Sequence, residues 1–99
     1  MNTNIKSIGF KLGEEENTFI EKKLSRLSFA SEYLHNLDLT FTKPEKNSSI
    51  TAAATLHFSW GTFTQVECTS YDFMSAVDEL IDKLERTCRK EKEKKLDRK

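Results

Sequence analysis

The stretch Asp72–Lys99 constrains the fold more than any other part of this 99-residue chain. Its apolar residues recur at spacings of three and four, which places them along one side of an α-helix. This apolar stripe consists of Phe73, Val77, Leu80, Ile81, Leu84 and Cys88. Asp72 can cap the first turn, because its carboxylate accepts backbone N–H groups that have no partner within the helix. We therefore predict one long helix that packs the stripe on a core, with last turns that project beyond it.

The charge of the chain is divided within the same helix. The whole chain has 16 Lys/Arg and 16 Asp/Glu, a formal net charge of +0. Residues 1–82 contain 7 Lys/Arg and 12 Asp/Glu, or −5, whereas residues 83–99 contain 9 and 4, or +5. Alternating Lys, Glu and Arg are typical of a helix that is merely soluble, but paired charges would cancel, and here positive charge remains in excess. A basic helical end from about residue 83 to residue 99 favours an anionic partner.

Alternation of apolar and polar residues predicts strands before this helix. The pattern is regular in Leu37–Phe41 and in Ile50–Phe58. It is weaker in residues 2–8 and in residues 62–69, and the imperfect alternation of the latter would fit a β-bulge. Gly61 can adopt the positive φ that a tight turn between the last two strands requires.

A first helix is predicted from about Glu14 to Ser28. Three glutamates in its first turn complement the helix dipole, and the apolar residues that follow have helical spacing. The element order is then βαβββα, and short connections favour an antiparallel arrangement of the three later strands. The predicted fold class is α+β, a two-layer sandwich with two helices packed on one face of a four-stranded sheet. It is similar to a double-stranded RNA-binding fold with an added first strand.

The sequence offers little for catalysis. It contains no Gly-rich phosphate loop, no His-Glu zinc motif and no nucleophile elbow, and it has only 2 histidines. A site built from His57, Cys68 and a nearby acid is a weak alternative, because a solvated histidine on the polar face of a strand needs no special role. We therefore expect no enzyme activity, no metal and no cofactor.

The cysteines and the N-terminus indicate a cytosolic protein. Cys68 and Cys88 are expected to be small buried residues with free thiols. The chain has no secretory signal and no run of about 18 apolar residues, so we expect no membrane association. Trp60 at a predicted hairpin tip could stack on a nucleotide base, although covering an edge of the core explains it at least as well.

A family resemblance is carried by the C-terminal helix, which from Asp72 reads D-F-M-S-A-V-D-E-L-I-D-K-L-E-R-T-C-R-K-E-K-E-K. This motif resembles the second helix of the ribosome hibernation-promoting factor family. Further similar segments are A-T-L-H-F at Ala54–Phe58, F-I-E-K-K-L-S-R-L at Phe19–Leu27, E-K at Glu45 and Lys46, and N-I-K near the start. The sequence departs at Met74, where the family usually has Tyr, and at Cys88, where it has Leu. The resemblance spans essentially the whole chain.

The resemblance implies a single ribosome-binding domain over residues 1–99. Such a factor binds the small ribosomal subunit and its rRNA in the mRNA/tRNA channel, and it inhibits translation under starvation or in stationary phase. It has a cytoplasmic location and no small-molecule substrate. Positions that match the family's basic residues are the implied rRNA contacts: Lys23, Arg26, Lys83, Arg86, Lys90, Lys92 and Lys94. Arg89 is added from its charge and position alone, and Lys22 and Lys95 are further candidates.

Short members of this family lack a second domain that joins two ribosomes. The chain resembles them, since no Pro-, Gly- or Ser-rich linker follows Lys95. We expect a monomer when free, which occupies single ribosomes and needs another factor for any ribosome dimerisation.

Two other classes of function stay open on the sequence. One is a general double-stranded RNA-binding module, which would read the shape of an A-form duplex rather than its bases. The other is a protein-interaction domain whose basic helix binds an acidic partner. Binding to any RNA duplex would favour the first of these, and indifference to RNA would favour the second.

Overall fold

The elements of the fold follow the predicted order βαβββα. The computed structural model describes residues 2–44 and 49–97. Its main elements are β1 (Asn2–Ile8), α1 (Glu14–Leu24), β2 (Leu34–Thr42), β3 (Ile50–Phe58), β4 (Phe63–Ser70) and α2 (Phe73–Asp97). A 3-10 helix (Ser25–Ala30) continues α1. The family matches at Glu45 and Lys46 and the side chain of Lys95 lie outside the described residues. The predicted α+β fold class is confirmed.

The four strands form one mixed sheet in the order β1-β2-β3-β4. β1 pairs with β2 in parallel, because α1 and the 3-10 helix carry the chain back across the sheet between them. The pairs β2–β3 and β3–β4 are antiparallel, as predicted. Gly61 in the β3–β4 turn has a φ of 90°, which a residue with a side chain rarely adopts.

The β-bulge that the imperfect alternation of β4 would have fitted is absent from that strand. β4 pairs with β3 in one continuous register, from Ser70 opposite Ile50 to Phe63 opposite His57, and the irregularity of the sheet lies between Leu34 and Asn36 in β2. The alternation of β4 is imperfect for another reason. Phe63 lies on the uncovered face of the sheet and is 64% exposed, so its apolar side chain does not mark the core.

The first helix is shorter than predicted, because its last turns tighten into the 3-10 helix at Ser25. The hydroxyl of Ser25 donates a hydrogen bond to the carbonyl oxygen of Lys22 at 2.6 Å, which competes with regular helical bonding. In a 3-10 helix residues three apart lie on the same side. Leu27 and Ala30 therefore both point into the core, where they are fully buried.

The core lies between the helices and one face of the sheet. The predicted stripe of α2 is buried from Val77 to Cys88, and Phe73 packs against its edge. Alternate residues of β3 face it, which gives that strand a strict period of two. Asp72 Oδ1 accepts a hydrogen bond from Ser75 N at 2.8 Å, so the predicted N-cap is confirmed. α2 has 25 residues, or about 37 Å, and the side chains of residues 92–94 at its far end are exposed.

Both cysteines are buried free thiols, as predicted. Cys68 Sγ lies 3.5 Å from the carbonyl oxygen of Ala76, on α2. Burial raises the pKa of the Cys68 thiol, and it raises the pKa of the Cys88 thiol to about 11. Both thiols are therefore neutral near pH 7, and they act as small apolar residues that join the helix to the sheet.

Candidate nucleic-acid interface on the C-terminal helix

The basic flank of α2 consists of Lys83, Arg86, Lys90 and Lys94. These residues are three or four positions apart, so helical geometry places them in one row beside the buried stripe. All four side chains are exposed. Lys94 Nζ lies 3.8 Å from Glu91 Oε1, a loose pair on the surface of the helix. The row presents arginine and lysine donors to solvent over about three helical turns.

Lys83 is the member of the basic flank that contacts the sheet. Its Nζ donates a hydrogen bond to the backbone carbonyl oxygen of Glu67 at 2.7 Å. Because β4 is an edge strand, this contact occupies a carbonyl that could otherwise pair with another strand. Lys83 thus has a structural contact as well as a charge, whereas Arg86 and Lys90 are the members that project from the middle of the row.

Arg89 and Lys92 lie on the opposite flank of α2 and approach aromatic rings. The Cζ atom of Arg89 lies 5.2 Å from the ring centre of Phe29, and Lys92 Nζ lies 5.6 Å from that of Tyr33. These distances are within the range of cation–π attraction. The sequence analysis had singled out the two cations, but not the rings beneath them.

Lys23 and Arg26 are paired with acidic residues of α2. Lys23 Nζ lies 3.0 Å from Asp78 Oδ1. Arg26 uses Nη2 to reach Asp82 Oδ1 at 2.7 Å and Nε to reach Glu85 Oε1 at 2.6 Å. Hydrogen bonds to Asp82 and then Glu85 raise the pKa of Arg26 above its ordinary value.

These ion pairs show that the basic residues at the end of α1 do not form a second uncompensated positive surface beside α2. The basic end of α1 faces an acidic flank on the first half of α2, and the two sets of charges compensate each other. Lys22, which is exposed, follows Glu21 on the same helix. The net positive surface is therefore concentrated on the second half of α2. Contacts of Lys23 and Arg26 with RNA stay a prediction.

The structure does not assemble the weak alternative site at His57. His57 lies on the uncovered face of the sheet, with its Nε2 3.4 Å from Asp38 Oδ2, whereas Cys68 points into the core on the other face. Within residues 2–44 and 49–97, no group of three or more His, Cys, Asp or Glu side chains is placed to hold a metal ion. Over the same ranges, no helix combines the length and apolarity needed to cross a membrane.

Trp60 packs on the edge of the core, as the simpler interpretation of the sequence expected. Its ring is stacked at 5.1 Å from Phe58 and at 5.5 Å from Tyr33. Sequence reasoning missed Phe29 and Tyr33. A signal was present for Phe29, since it is a large apolar residue that falls outside the buried spacing of Leu27 and Ala30.

Comparisons with known proteins agree with this architecture. The model of the family described as Sigma 54 modulation protein / S30EA ribosomal protein matches residues 3–96. Among solved structures, a ribosomal subunit interface protein from Coxiella burnetii is similar with a TM-score of 0.82 and 23% identity, over 93% of this chain and 98% of that one. The Protein Y N-terminal domain from Thermus thermophilus has a TM-score of 0.76 and 21% identity, over 91% and 98% of the two chains.

The two similar structures show a shared fold, whereas the family model matches the amino-acid sequence itself. A comparison with curated proteins finds no match. The family match covers nearly every residue, including both helices and all four strands. The chain therefore belongs to the Sigma 54 modulation protein / S30EA ribosomal protein family.

Proposed function

We propose that this protein is a ribosome hibernation factor that binds the small ribosomal subunit through the basic half of α2. It lies in the channel used by mRNA and tRNA, contacts rRNA there and inhibits translation under starvation or in stationary phase. The description of its family includes a ribosomal protein, which supports the ribosome as the binding partner. The observation that carries the proposal is the exposed row of Arg86, Lys90 and Lys94 on a helix that continues past its buried stripe.

The chemistry of the basic flank suits an RNA backbone. The guanidinium of Arg86 can donate two parallel hydrogen bonds to a phosphate, and the lysines supply mobile charges beside it. Such contacts read the shape of A-form RNA, because its major groove is too narrow for side chains. Cations at a helix C-terminus also complement the helix dipole, but that effect is confined to the last turn. Arg86 and Lys90 lie further from Asp97 than that.

Residues 1–99 would act as one ribosome-binding domain that is monomeric when free. The large exposed apolar residues are scattered over the described surface, at Ile8, Phe29, Phe63, Tyr71 and Met74. Scattered residues of this kind do not make a patch of the size that a stable dimer buries. Joining of ribosomes into dimers would then need another factor.

Binding should weaken steeply with salt, because each phosphate that a protein neutralises releases counterions. For about four phosphate contacts, we expect a loss of affinity of roughly a hundredfold between about 50 and 200 mM salt. The measurement is co-sedimentation of the purified protein with purified small subunits over that range. A flat response would contradict the electrostatic account. Equal binding to an unrelated RNA duplex would favour the general double-stranded RNA-binding module instead.

Arg26 and Arg86 should differ in their importance for binding. Arg26→Gln removes a charge that Asp82 and Glu85 already compensate, whereas Arg86→Gln removes a charge from the exposed row. We expect Arg86→Gln to weaken binding to small subunits by about fivefold or more, and Arg26→Gln to weaken it less. Both variants have the same change of net charge, so each is the control of the other in the same sedimentation assay. The reverse order would mean that Arg26 leaves its ion pairs to contact RNA.

A further inference from the structure

Three aromatic rings stack at the end of the molecule where α2 leaves the core, and a fourth ring lies under the same flank of α2. Phe58 and Trp60 are stacked at 5.1 Å with an interplanar angle of 1°, and Tyr33 lies 5.5 Å from Trp60 at 19°. The backbone ties these segments together, since Ser59 N donates a hydrogen bond to the carbonyl oxygen of Tyr33 at 2.8 Å. Phe29, in the 3-10 helix, is placed near them by α2, because Arg89, which covers Phe29, lies one turn before Lys92, which covers Tyr33. We call Phe29, Tyr33, Phe58 and Trp60 the aromatic end.

Two cations of α2 lie directly over this aromatic end. Arg89 covers the ring of Phe29, and Lys92, one turn later, covers the ring of Tyr33. A third cation–π contact, from Lys23 to Phe19, involves a lysine whose charge is already paired with Asp78. Among the described ion pairs, none involves Arg89 or Lys92. The aromatic end is thus where rings and uncompensated positive charges occur together.

Core packing accounts for only part of the aromatic end. Phe58 and Tyr33 are buried and belong to the core, but Trp60 is half-buried and Phe29 is 40% exposed even with Arg89 over its ring. The hydroxyl of Tyr33 is buried and has no hydrogen-bond partner among the described residues, which is an uncommon condition for a polar atom. Two large rings with accessible surface therefore lie beside two available cations.

We propose that the aromatic end binds an unpaired nucleotide of RNA, with its base stacked on the exposed ring of Phe29 or of Trp60 and its flanking phosphates held by Arg89 and Lys92. This inference rests on the proposed function and extends it, because it adds a single-stranded element to the duplex backbone contacted by the basic flank. Bases within a duplex have both faces covered by their neighbours, whereas an unpaired base offers a face to aromatic rings and to the guanidinium plane. Such stacking tolerates any base, so it would not give sequence specificity.

The test compares RNA strands that differ only in their bases or their pairing. The full chain is titrated with a labelled single-stranded oligoribonucleotide, with the same strand in a duplex and with a strand of the same length that is abasic at every position, and affinity is read from fluorescence anisotropy. The intact single strand should bind about fivefold or more tightly than the abasic strand, which keeps every phosphate. The intact strand should also quench the fluorescence of Trp60, the only tryptophan in the chain, more than the duplex does. Equal affinity for intact and abasic strands would overturn the inference.

Variants locate the site on the surface. Phe29→Leu and Trp60→Leu should weaken binding of the intact strand, with a loss of about fivefold or more for at least one of them, and Phe29→Tyr should keep the affinity because it keeps a ring. Tyr71→Leu is the matched control, since Tyr71 is an aromatic residue, 88% exposed, that precedes the opposite end of α2. Circular dichroism and thermal melting show whether each variant is folded. A normal affinity in both folded leucine variants would contradict the proposal.

Failure of this inference and failure of the proposed function have different outcomes. If the wild-type chain co-sediments with small subunits but does not distinguish intact from abasic strands, the base site is wrong and the ribosome proposal stands. If the intact strand is preferred but small subunits are not bound, the base site stands and the ribosome proposal is wrong.

Discussion

Exchanging Arg86, Lys90 and Lys94 together for glutamate should abolish binding to the small ribosomal subunit, with a loss of affinity of at least about a hundredfold. Each exchange removes a proposed phosphate contact and adds a charge that would repel the RNA backbone. The three side chains are exposed and lie off the buried stripe, so the fold should stay nearly intact. Lys83 is left unchanged, because its hydrogen bond to Glu67 would mix a structural effect into the result. Filter binding or sedimentation measures the affinity, and circular dichroism measures the helix content.

A matched control uses three exposed lysines elsewhere in the chain. Lys6→Glu, Lys11→Glu and Lys43→Glu together change the net charge by the same amount, but none of these residues belongs to α2. This control should keep most of the affinity. An equal loss in both triple variants would mean that binding depends on total charge rather than on the row along α2. Loss of helix content in the first variant would show that the row also stabilises the fold.

Replacing Leu84 with alanine should destabilise the protein by about 2–5 kcal/mol. Leu84 is 0% exposed and lies in the middle of the stripe that α2 buries against the sheet. The substitution removes apolar contacts and leaves a cavity that surrounding side chains only partly fill. Domains of this size have a total stability of about 5–15 kcal/mol, so the change would be a large fraction of it. Urea unfolding, followed by circular dichroism, gives the free energy of unfolding.

Met74→Ala on the same helix is the control for this experiment. Met74 is 59% exposed, so its truncation should change the free energy of unfolding by less than about 0.5 kcal/mol. Leu84→Ala should also bind small subunits normally at temperatures where it is folded, because the buried side chain is not part of the proposed basic interface. A cost below about 1 kcal/mol for Leu84→Ala would contradict the packing of α2.

The order and type of the elements follow from the sequence alone. The buried stripe of α2, its cap at Asp72 and the bounds of β3 were predicted correctly, because each depends on a local period or on residues a few positions apart. The positive φ of Gly61 was predictable for the same reason. The predicted end of α1 was wrong, and the bulge considered for β4 is absent. At Ser25 a side-chain hydrogen bond to Lys22 accompanies the tighter last turns, and in β4 Phe63 breaks the alternation because it lies on the uncovered face of the sheet.

Tertiary packing sets which charges are available and which aromatic rings lie beneath the cations of α2. Arg26 is separated by 56 residues along the chain from Asp82 and by 59 from Glu85, so no local pattern indicates that its charge is compensated. The contacts of Arg89 with the ring of Phe29 and of Lys92 with the ring of Tyr33 also join residues that are far apart in the sequence. Such contacts depend on how α2 packs against the 3-10 helix and the sheet, since a helix shifted by one turn would bring other side chains together. The period of the apolar residues predicts which face of a helix is buried, but it does not predict which residues the neighbouring faces will contact.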